Sequence, residues 1–422
     1  MVDPAFERSR SRAASPGRIR DLAVELFQRA LDAPRRAESL FAKQARQARS
    51  LQSRDRRYLF EGLYQMIRYE ARLREHLNTT DLLALWLGWL VHDGLDPALA
   101  RTSFEDAKPG HTVPEFEAAQ ALMTRTSLPV YAGVHPSIAD RLHAHYGEEV
   151  WDWVDASNRR APVSLRANLK KTHTAALVDA LNSEGIETRP GRWCPESLHV
   201  IGRHNLMGSR CFRDGLFEVQ DEGSVLLSKL IPDRGEGLDL CAGAGGKTLA
   251  RAAETRGSIL ATDIRSGALN ELQKRATRAG VQVKTRLLPP DGTWPADLEE
   301  RRFDWILVDT PCSGLGVLRR HPAHRWIVDP ETLSDLIHTQ DSLLDRAAAQ
   351  ISPGGMLIYG TCSSLPIENE ARITAFLERH PDWEVRPAPV PEPCRSGPYL
   401  HCEPHIHDTD GFFGATLHRS RG

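Results

Sequence analysis

The most constraining feature of this sequence is an alternation of short apolar runs and helical stretches that begins at residue 237. Five short apolar runs are candidate strands: GLDLCAG, GSILATDI, VKTRLLPPDG, FDWILVDTPC and GGMLIYGTC. Helical stretches separate most of them, which is typical of βαβ units. Because strands joined by helices run parallel, the alternation predicts a doubly wound, Rossmann-like α/β sheet.

Chemically distinctive side chains follow these runs where the predicted strands end. They are Asp263, Asp291, Asp309, Cys312 and Cys362. In a doubly wound sheet, ligands bind beyond the carboxyl ends of the strands. Neighbouring strands lie about 4.8 Å apart, so both thiols are expected to border one cleft. The sequence therefore predicts a single functional site at this edge.

A glycine-rich turn, DLCAGAGGKT at residues 239–248, joins the first predicted strand to a helix. It is not a Walker A loop, because the first glycine of that motif would fall on Cys241, and it is not a dinucleotide fingerprint, because the third glycine would fall on Thr248. Glycines let a nucleoside approach the backbone, and Asp263 is placed to accept ribose hydroxyls. With Asp291 near the adenine, the pattern favours S-adenosylmethionine as cofactor. A turn that serves packing alone is the alternative.

Two cysteines beside a methyl donor suit one reaction, methylation of carbon 5 of cytosine. A thiolate adds to C6 of the ring, C5 attacks the methyl group, and a base removes the C5 proton before the thiol leaves. Asp309 precedes Cys312 by three residues. A carboxyl there that carries or shares a proton would contact the N3/N4 edge of the base. Inert burial of the cysteines is the alternative.

Six motifs together make the chain resemble the Sun/RsmB-type (NOL/NOP/Sun) family of RNA cytosine-C5 methyltransferases, in its bacterial 16S ribosomal RNA branch. The resemblance runs from about His135 to the C-terminus, and the motifs are SLRANLKK, FEVQDEGS, DLCAGAGGKT, VDTPCSGLGVLRRHP, YGTCSSLPIENE and DGFFGATLHR. It implies an S-adenosylmethionine-dependent enzyme that methylates C5 of a cytidine, in 16S ribosomal RNA, through a covalent adduct between a cysteine and C6.

The resemblance also implies roles for single residues. The nucleophile is expected to be Cys362, in the Thr-Cys motif, and Cys312 is expected to assist product release. Asp309 and Lys247 are expected in the reacting centre. The set expected to hold the methyl donor is Cys241, Ala242, Gly243, Ala244, Gly245, Gly246, Lys247, Asp263, Asp291 and Asp309.

Four positions depart from the usual motifs of that family. Gly243 and Ala244 replace an Ala-Pro pair in the turn, Thr310 replaces an alanine before Pro-Cys, and Ile138 stands where a tryptophan often follows His-Pro. None of these changes removes a reacting group. Loss of the proline is expected to loosen the turn before the donor binds.

Two regions precede the predicted sheet. Between Ile19 and about Leu128, apolar residues at three- and four-residue spacing predict five to seven helices, and DRRYLFEGLYQMIRYEARL is similar to the NusB-like RNA-binding domain of the bacterial members. From Pro162, mixed strand and helix signals indicate a small αβ segment. The predicted domains are an all-α NusB-like RNA-binding domain at 1–134, an αβ linker and RNA-binding subdomain at 135–235, and a methyltransferase domain at 236–422.

Charge and composition limit the kinds of partner that the protein is expected to have. Residues 1–80 hold 17 Lys and Arg against 10 Asp and Glu, which suits a phosphate-bearing partner such as RNA, although a solvated helical face also explains it. RSRSRAASPGR, residues 8–18, is expected to be a flexible basic arm. The seven scattered cysteines do not form a disulfide framework, and LLALWLGWLV at 82–91 is too short to span a bilayer. We expect a cytoplasmic monomer without membrane association.

Three other features have competing interpretations. PIENE, 366–370, invites a general-acid role, but carboxylates at a helix start are the simpler interpretation. RRHPAHRW, 319–326, fits a substrate loop or an ordinary surface. A His/Cys cluster matches no standard zinc spacing, so no metal is expected: Cys394, His401, Cys402, His405 and His407.

Three rival functions remain at this stage. A DNA cytosine-C5 methyltransferase would use Cys312 as its nucleophile, but the Thr-Cys motif and the αβ segment argue against it. A transfer RNA methyltransferase would use the same chemistry on another RNA. A non-catalytic, RNA-binding ribosome assembly factor would keep the fold without the reaction, and the complete set of cysteines and strand-end carboxylates counts against it.

Overall fold

The computed structural model describes residues 6–290 and 293–419, and the chain forms two compact units. The first, here called the helical unit, runs through Val154 and also takes in Arg320–Thr332. The second, here called the α/β unit, contains Asp155–Arg319 and continues from Leu333. Among the described residues, no helix is both long enough and apolar enough to cross a membrane.

The helical unit confirms the helical character predicted for the N-terminal region. Its helices are α1 (Glu7–Ala14), α2 (Arg18–Asp32), α3 (Ala37–Gln47), α4 (Ser53–Leu77), α5 (Leu82–His92), α6 (Pro97–Ala107), α7 (Leu128–Ala132), α8 (Pro136–Tyr146) and the start of α9 (Val150–Asn158). The apolar run predicted as a buried helix is α5, which is buried from residue 83 to residue 91. Asp81 caps α5 by accepting a hydrogen bond from the Ala84 N–H at 3.0 Å.

The expectation of a flexible basic arm at residues 8–18 is wrong for most of that stretch, because α1 folds against α4. Ala13 and Ala14 are buried, and Ser9 Oγ donates a hydrogen bond to Asp55 Oδ1 at 2.7 Å. Arg12 pairs with the other oxygen of the same carboxylate at 2.9 Å. The small side chains of α1 allow it to pack closely on α4. The arginines between them make the same stretch look like a solvated basic segment in the sequence.

Most of the segment RRHPAHRW belongs to the helical unit and includes buried residues. Ala323 and Arg325 are buried. Arg325 Nη1 donates to the carbonyl oxygens of Arg68 at 2.8 Å and Ala132 at 3.0 Å, so this guanidinium is engaged inside the unit. Burial lowers the pKa of Arg325 to about 9. The residues around Arg325 therefore stabilise the helical unit, and the interpretation of these residues as a substrate loop is wrong.

The α/β unit begins with a small antiparallel sheet of four strands in the order β2-β3-β1-β4. The strands are β1 (Ser164–Ala167), β2 (Thr188–Pro190), β3 (Ser197–Val200) and β4 (Phe217–Val219), and two helices accompany them, α10 (Thr174–Ser183) and α11 (Arg210–Arg213). Leu165, Leu177 and Phe217 are fully buried in its core. The mixed αβ segment predicted from residue 162 is thus present.

The large sheet contains the five strands that the sequence alternation predicted. They are β5 (Glu236–Asp239), β6 (Ser258–Asp263), β7 (Lys284–Leu287), β8 (Phe303–Asp309) and β9 (Ile351–Thr361), all parallel, in the order β7-β6-β5-β8-β9. The helices of this region are α12 (Glu222–Lys229), α13 (Gly246–Ala252), α14 (Ser266–Ala279), α15 (Ala296–Glu299), α16 (Pro330–Ala349), α17 (Glu370–Arg379) and α18 (Pro404–His407). The prediction of a parallel, doubly wound arrangement is confirmed for these strands.

Antiparallel strands extend the sheet beyond β9 and were not predicted. They are β10 (Trp383–Arg386), β11 (Arg395–Ser396), β12 (Tyr399–Cys402) and β13 (Phe412–Arg419), with β13 paired to β9. The sheet is therefore mixed. The strand order reverses at β5, which lies between β6 and β8, and this is the switch point at which such sheets bind ligands.

Candidate active site

The turn after β5 has a backbone that only glycine adopts without strain at two positions. Gly243 has φ +56° and Gly245 has φ +82°, both in the left-handed region. A Cβ added to Gly245 would lie 2.6 Å from Leu272 Cγ, so that glycine is also needed for packing on α14. The Gly243 N–H donates to Asp263 Oδ2 at 2.8 Å, which ties the turn to the end of β6.

Asp263 is held in a defined orientation at the end of β6. Arg265 contacts both of its oxygens, with Nε to Oδ1 and Nη2 to Oδ2 each at 3.0 Å. Burial would raise the pKa of Asp263, but hydrogen bonds from Arg265 outweigh it and hold that pKa below its usual range. The carboxylate is therefore charged and faces the turn, as a site for ligand hydroxyls requires.

Asp239, at the end of β5, is a buried carboxyl group with unused hydrogen-bonding capacity. Oδ2 accepts a hydrogen bond from Thr248 Oγ1 at 2.5 Å, whereas Oδ1 has no partner among the described residues. Burial raises the pKa of Asp239 to about 7. An unpaired buried oxygen beside a glycine turn fits a ligand that brings its own N–H or O–H groups. The turn thus fits a polar nucleoside donor such as S-adenosylmethionine.

Lys247 and Asp309 form an ion pair between the start of α13 and the end of β8. Lys247 Nζ lies 2.6 Å from Asp309 Oδ2 and 5.2 Å from the centre of the Phe412 ring. Burial would lower the pKa of Lys247, but the charge of Asp309 and its hydrogen bond raise it, and Cys362 adds to the increase. The ammonium is therefore kept charged in a partly dry setting beside the thiols.

The thiols of Cys312 and Cys362 lie beyond the ends of β8 and β9, and their Sγ atoms are 3.3 Å apart. The Cys362 N–H also lies 3.3 Å from Cys312 Sγ. The hydrogen bond to Cys362 and then burial raise the pKa of Cys312 well above its ordinary value. Cys312 therefore keeps its proton, and its thiol lies within hydrogen-bonding distance of Cys362 Sγ.

Glu368 joins the two cysteine loops, a function that the sequence did not reveal. Its carboxylate accepts the Ser313 N–H at 2.8 Å and Ser313 Oγ at 2.5 Å, and it also accepts Ser363 Oγ. Gln340 Nε2 donates to Oε1 at 3.0 Å. Glu368 is fully buried and lies on a short 3₁₀ turn before α17, so the helix-start interpretation of PIENE fails for this residue. It holds for Glu370, the first residue of α17.

Close backbone packing fixes the Cys362 loop from another side. The Gly316 N–H donates to the Cys362 carbonyl at 2.9 Å, and the Gly411 N–H donates to the Gly316 carbonyl at 2.7 Å. A Cβ on Gly316 would lie 2.4 Å from Gly411 O and 2.9 Å from Cys362 O. Three chain segments therefore meet beside the cysteine with no space for a side chain between them.

The structure brings most of the predicted site residues to one edge of the large sheet. The turn from Cys241 to Lys247, Asp263, Asp309, Cys312 and Cys362 all follow the carboxyl ends of β5, β6, β8 and β9. Asp291 lies outside the described residues. Sequence patterns also missed Arg275, whose Nη1 donates to Ala244 O at 2.7 Å across 31 positions of chain. No local signal marked it, because an arginine on a helix is usually solvated.

The chain matches two family models. Residues 229–418 match 16S rRNA methyltransferase RsmB/F, and residues 135–206 match the Methyltr_RsmF/B-like, ferredoxin-like domain. Ribosomal RNA small subunit methyltransferase B of Salmonella arizonae is 33% identical over 289 residues, which cover 67% of this chain and 66% of that protein. The protein of the same name from Escherichia coli O6:K15:H31 is 34% identical over 291 residues, with the same shares. The chain thus spans just under two thirds of these relatives' length.

Two solved structures are similar to the chain. A methyltransferase homolog protein from Pyrococcus horikoshii is 28% identical, with a TM-score of 0.59 over 69% of this chain and 97% of that chain. The crystal structure of PH0851 has a TM-score of 0.75 over 94% of this chain and 98% of that one, at 22% identity, which establishes a shared fold. The chain belongs to the RsmB/F family of 16S rRNA methyltransferases.

Proposed function

We propose that this protein transfers a methyl group from S-adenosylmethionine to C5 of a cytidine in 16S ribosomal RNA. The observation that carries the proposal is the pair of thiols 3.3 Å apart beside the Lys247–Asp309 ion pair. Methylation at C5 of a pyrimidine needs a nucleophile for C6, a polar group for the N3/N4 edge and a methyl donor within one cleft. The names of the curated relatives support ribosomal RNA of the small subunit as the substrate.

The residues proposed to hold the donor are those of the glycine turn and the strand ends. Gly243 and Gly245 leave the backbone open, and Asp263 and Asp291 are the proposed partners of the ribose and the adenine. The remaining members of the proposed set are Cys241, Ala242, Ala244, Gly246, Lys247 and Asp309. When bound, S-adenosylmethionine supplies an electrophilic methyl group on its sulfonium.

In the proposed reaction, the Cys362 thiolate adds to C6 of an unstacked cytosine. The Lys247 ammonium and the Cys312 S–H stabilise the thiolate before the attack. Asp309 accepts a hydrogen bond from Lys247 at 2.6 Å, so the two residues share a proton. Asp309 is proposed to use this shared proton at the N3 edge of the base. After C5 is methylated, a base removes the C5 proton, the electrons of the C5–H bond restore the C5=C6 double bond, and the C6–S bond breaks to restore the Cys362 thiolate. Cys312 is proposed to assist this release.

The helical unit and the small sheet are proposed to bind the RNA around the target cytidine. An excess of basic residues in residues 1–80 favours contacts with phosphates, and the target base has to leave its stack to expose C5 and C6. The NusB-like identity of residues 1–134, the αβ subdomain at 135–235 and the methyltransferase domain at 236–422 are part of the same proposal. We also propose that the protein acts in the cytoplasm, as a monomer and without a metal.

The test is methyl transfer from labelled S-adenosylmethionine to separate RNA and DNA substrates, followed by nucleoside analysis. The substrates are 16S ribosomal RNA without modifications, assembled small subunits, total transfer RNA and duplex DNA. The proposal expects 5-methylcytidine in the ribosomal RNA or subunit samples alone. Label in transfer RNA would contradict ribosomal RNA as the proposed substrate. A methylated nucleoside other than 5-methylcytidine would overturn the proposed chemistry. Normal donor binding without transfer would indicate a binding protein.

A further inference from the structure

Arg275 of α14 bridges the glycine turn and the small sheet. Its Nη1 donates to the Ala244 carbonyl at 2.7 Å, and its Nε donates to Glu218 Oε2 at 3.0 Å. Both contacts come from one planar guanidinium whose side chain is only 16% exposed. A planar, preorganised group of this kind transmits the position of one partner to the other.

Glu218, on β4, is a firm anchor for this bridge. Its side chain is 4% exposed, and its second oxygen accepts a hydrogen bond from Arg278 Nη2 at 2.5 Å. A buried carboxylate that is shared by two arginines has little freedom to rotate, because each rotation would break a charge-assisted hydrogen bond. Arg275 is therefore held from the side of the small sheet.

The end of α14 is docked on the chain that follows β1. Asn168 Nδ2 donates to the Ala279 carbonyl at 2.8 Å, and Lys171 Nζ donates to the Arg278 carbonyl at 2.7 Å. Both contacts satisfy carbonyl groups that a helix end leaves without partners. They fix α14, and with it Arg275, relative to the small sheet.

The side chains of the turn restrain its backbone very little. Residues 242–246 read Ala-Gly-Ala-Gly-Gly, with no proline and no side chain longer than a methyl group. Such a segment loses much conformational entropy when a ligand fixes it. A hydrogen bond from outside that already holds the Ala244 carbonyl lowers this cost before the ligand arrives.

We propose that Arg275, anchored by Glu218, is a positioning residue that preorders the methyl-donor turn and makes donor affinity depend on the small sheet. The inference rests on the proposed donor site and adds a coupling between that site and the proposed RNA-binding part of the α/β unit. Whatever shifts the small sheet then shifts donor affinity, and donor binding acts back on the small sheet to the same extent.

The test measures the dissociation constant of S-adenosylmethionine by calorimetry, without RNA, for the full chain and for Arg275→Gln. Loss of a charge-assisted hydrogen bond predicts affinity weaker by about tenfold. The matched control is Arg278→Gln, which also leaves Glu218 with one arginine fewer but removes no contact to the turn. It is expected to bind the donor within about twofold of the original chain, on the same scale.

Two further readouts separate positioning from a loss of folding. Amide hydrogen exchange of the turn, measured without ligand, should be faster in Arg275→Gln than in Arg278→Gln, while exchange in β8 stays unchanged. In methyl transfer, Arg275→Gln should raise the KM for the donor with kcat retained at saturating donor. Combining Glu218→Gln with Arg275→Gln should weaken donor binding no more than Arg275→Gln alone.

Three results would overturn the inference. Unchanged donor affinity in Arg275→Gln would show that the bridge does not affect donor binding. Equal loss of affinity in Arg275→Gln and Arg278→Gln would show that docking of α14 on the small sheet, and not the contact to the turn, controls donor binding. A full chain that binds no S-adenosylmethionine would overturn both the inference and the proposed function, whereas the first two results leave the proposed function intact. If Arg275→Gln does not fold, Arg275→Lys is measured instead, since an ammonium cannot span both partners.

Discussion

The Sγ atoms of Cys312 and Cys362 lie 3.3 Å apart although 50 positions separate the residues in sequence. Adjacent parallel strands, β8 and β9, bring them together, and Glu368 ties the serines that follow each cysteine. Cys312 keeps its proton because the hydrogen bond to Cys362 and burial both raise its pKa. The geometry therefore places a protonated thiol against Cys362, the residue proposed as the nucleophile.

Replacing Glu368 with Gln should destabilise the protein and slow the reaction. The amide cannot accept hydrogen bonds from all the donors that now surround the carboxylate, among them Ser313, Ser363 and Gln340. We expect the free energy of unfolding in urea to fall by about 2 kcal/mol. The control is Glu370→Gln, since Glu370 Oε2 is buried without a partner among the described residues and should change stability by less than about 0.5 kcal/mol. Equal effects would contradict the bridging role.

Lys247 and Asp309 should show a large coupling in a double-mutant cycle of unfolding. Each single change, Lys247→Met or Asp309→Asn, leaves the other polar group without its partner at 2.6 Å. The double variant loses both at once, so we expect a coupling free energy of about 2 kcal/mol. The exposed pair Arg286–Asp297, at 3.1 Å, is the control and should give less than about 0.5 kcal/mol. A coupling free energy no larger than that of the control pair would contradict a stabilising interaction between Lys247 and Asp309.

Replacing Gly316 with Ala should disturb the Cys362 loop through backbone collisions. The added Cβ would meet Gly411 O at 2.4 Å and Cys362 O at 2.9 Å, and neither atom belongs to a side chain that is able to turn away. We expect methyl transfer to fall at least about tenfold and the free energy of unfolding to fall by about 2 kcal/mol. Gly267→Ala is the control, because a Cβ there meets nothing within 4 Å and should stabilise α14 by about 0.5 kcal/mol. Full activity in Gly316→Ala would contradict the packing argument.

Asp239 should make the protein less stable as the pH rises. Burial raises its pKa to about 7 in the folded state, whereas an unfolded chain has an aspartate pKa of about 3.9. Between these values the folded state binds the proton that the unfolded state has released, so the free energy of unfolding falls as the pH rises from about 4 to about 7. Urea unfolding of Asp239→Asn should lack this component, while exposed Asp233→Asn should keep it. The same pH dependence in all three proteins would exclude the raised pKa.

The parallel strands were predictable because strands buried on both faces are continuous apolar runs. Ile306, Leu307 and Val308 of β8 are fully buried and appear in sequence as such a run. The antiparallel strands were not predictable in the same way. The β11 strand is two residues long and exposed, so its sequence does not differ from that of a loop, whereas β12 alternates half-buried with buried positions and is missed by a search for continuous apolar runs.

The positions of the two cysteines, Asp263 and Asp309 were predictable, since strand ends are a property of topology. The contacts that fix them were not. Glu368 meets Ser313 across 55 positions and Gln340 across 28, and a local pattern of two glutamates beside a helix gave no sign of this. The α1 helix was missed for the opposite reason, because its arginines concealed small residues such as Ala13 that pack on α4.

A denaturing gel of the protein with labelled RNA and S-adenosylmethionine distinguishes the proposed roles of the two thiols. It compares the original chain with Cys362→Ala, Cys312→Ala and the buried, remote Cys211→Ala as control. We expect no covalent protein–RNA band in Cys362→Ala and an accumulating band in Cys312→Ala, with turnover in the control as in the original chain. A covalent band in Cys362→Ala that is absent from Cys312→Ala would reverse the two roles and contradict the account.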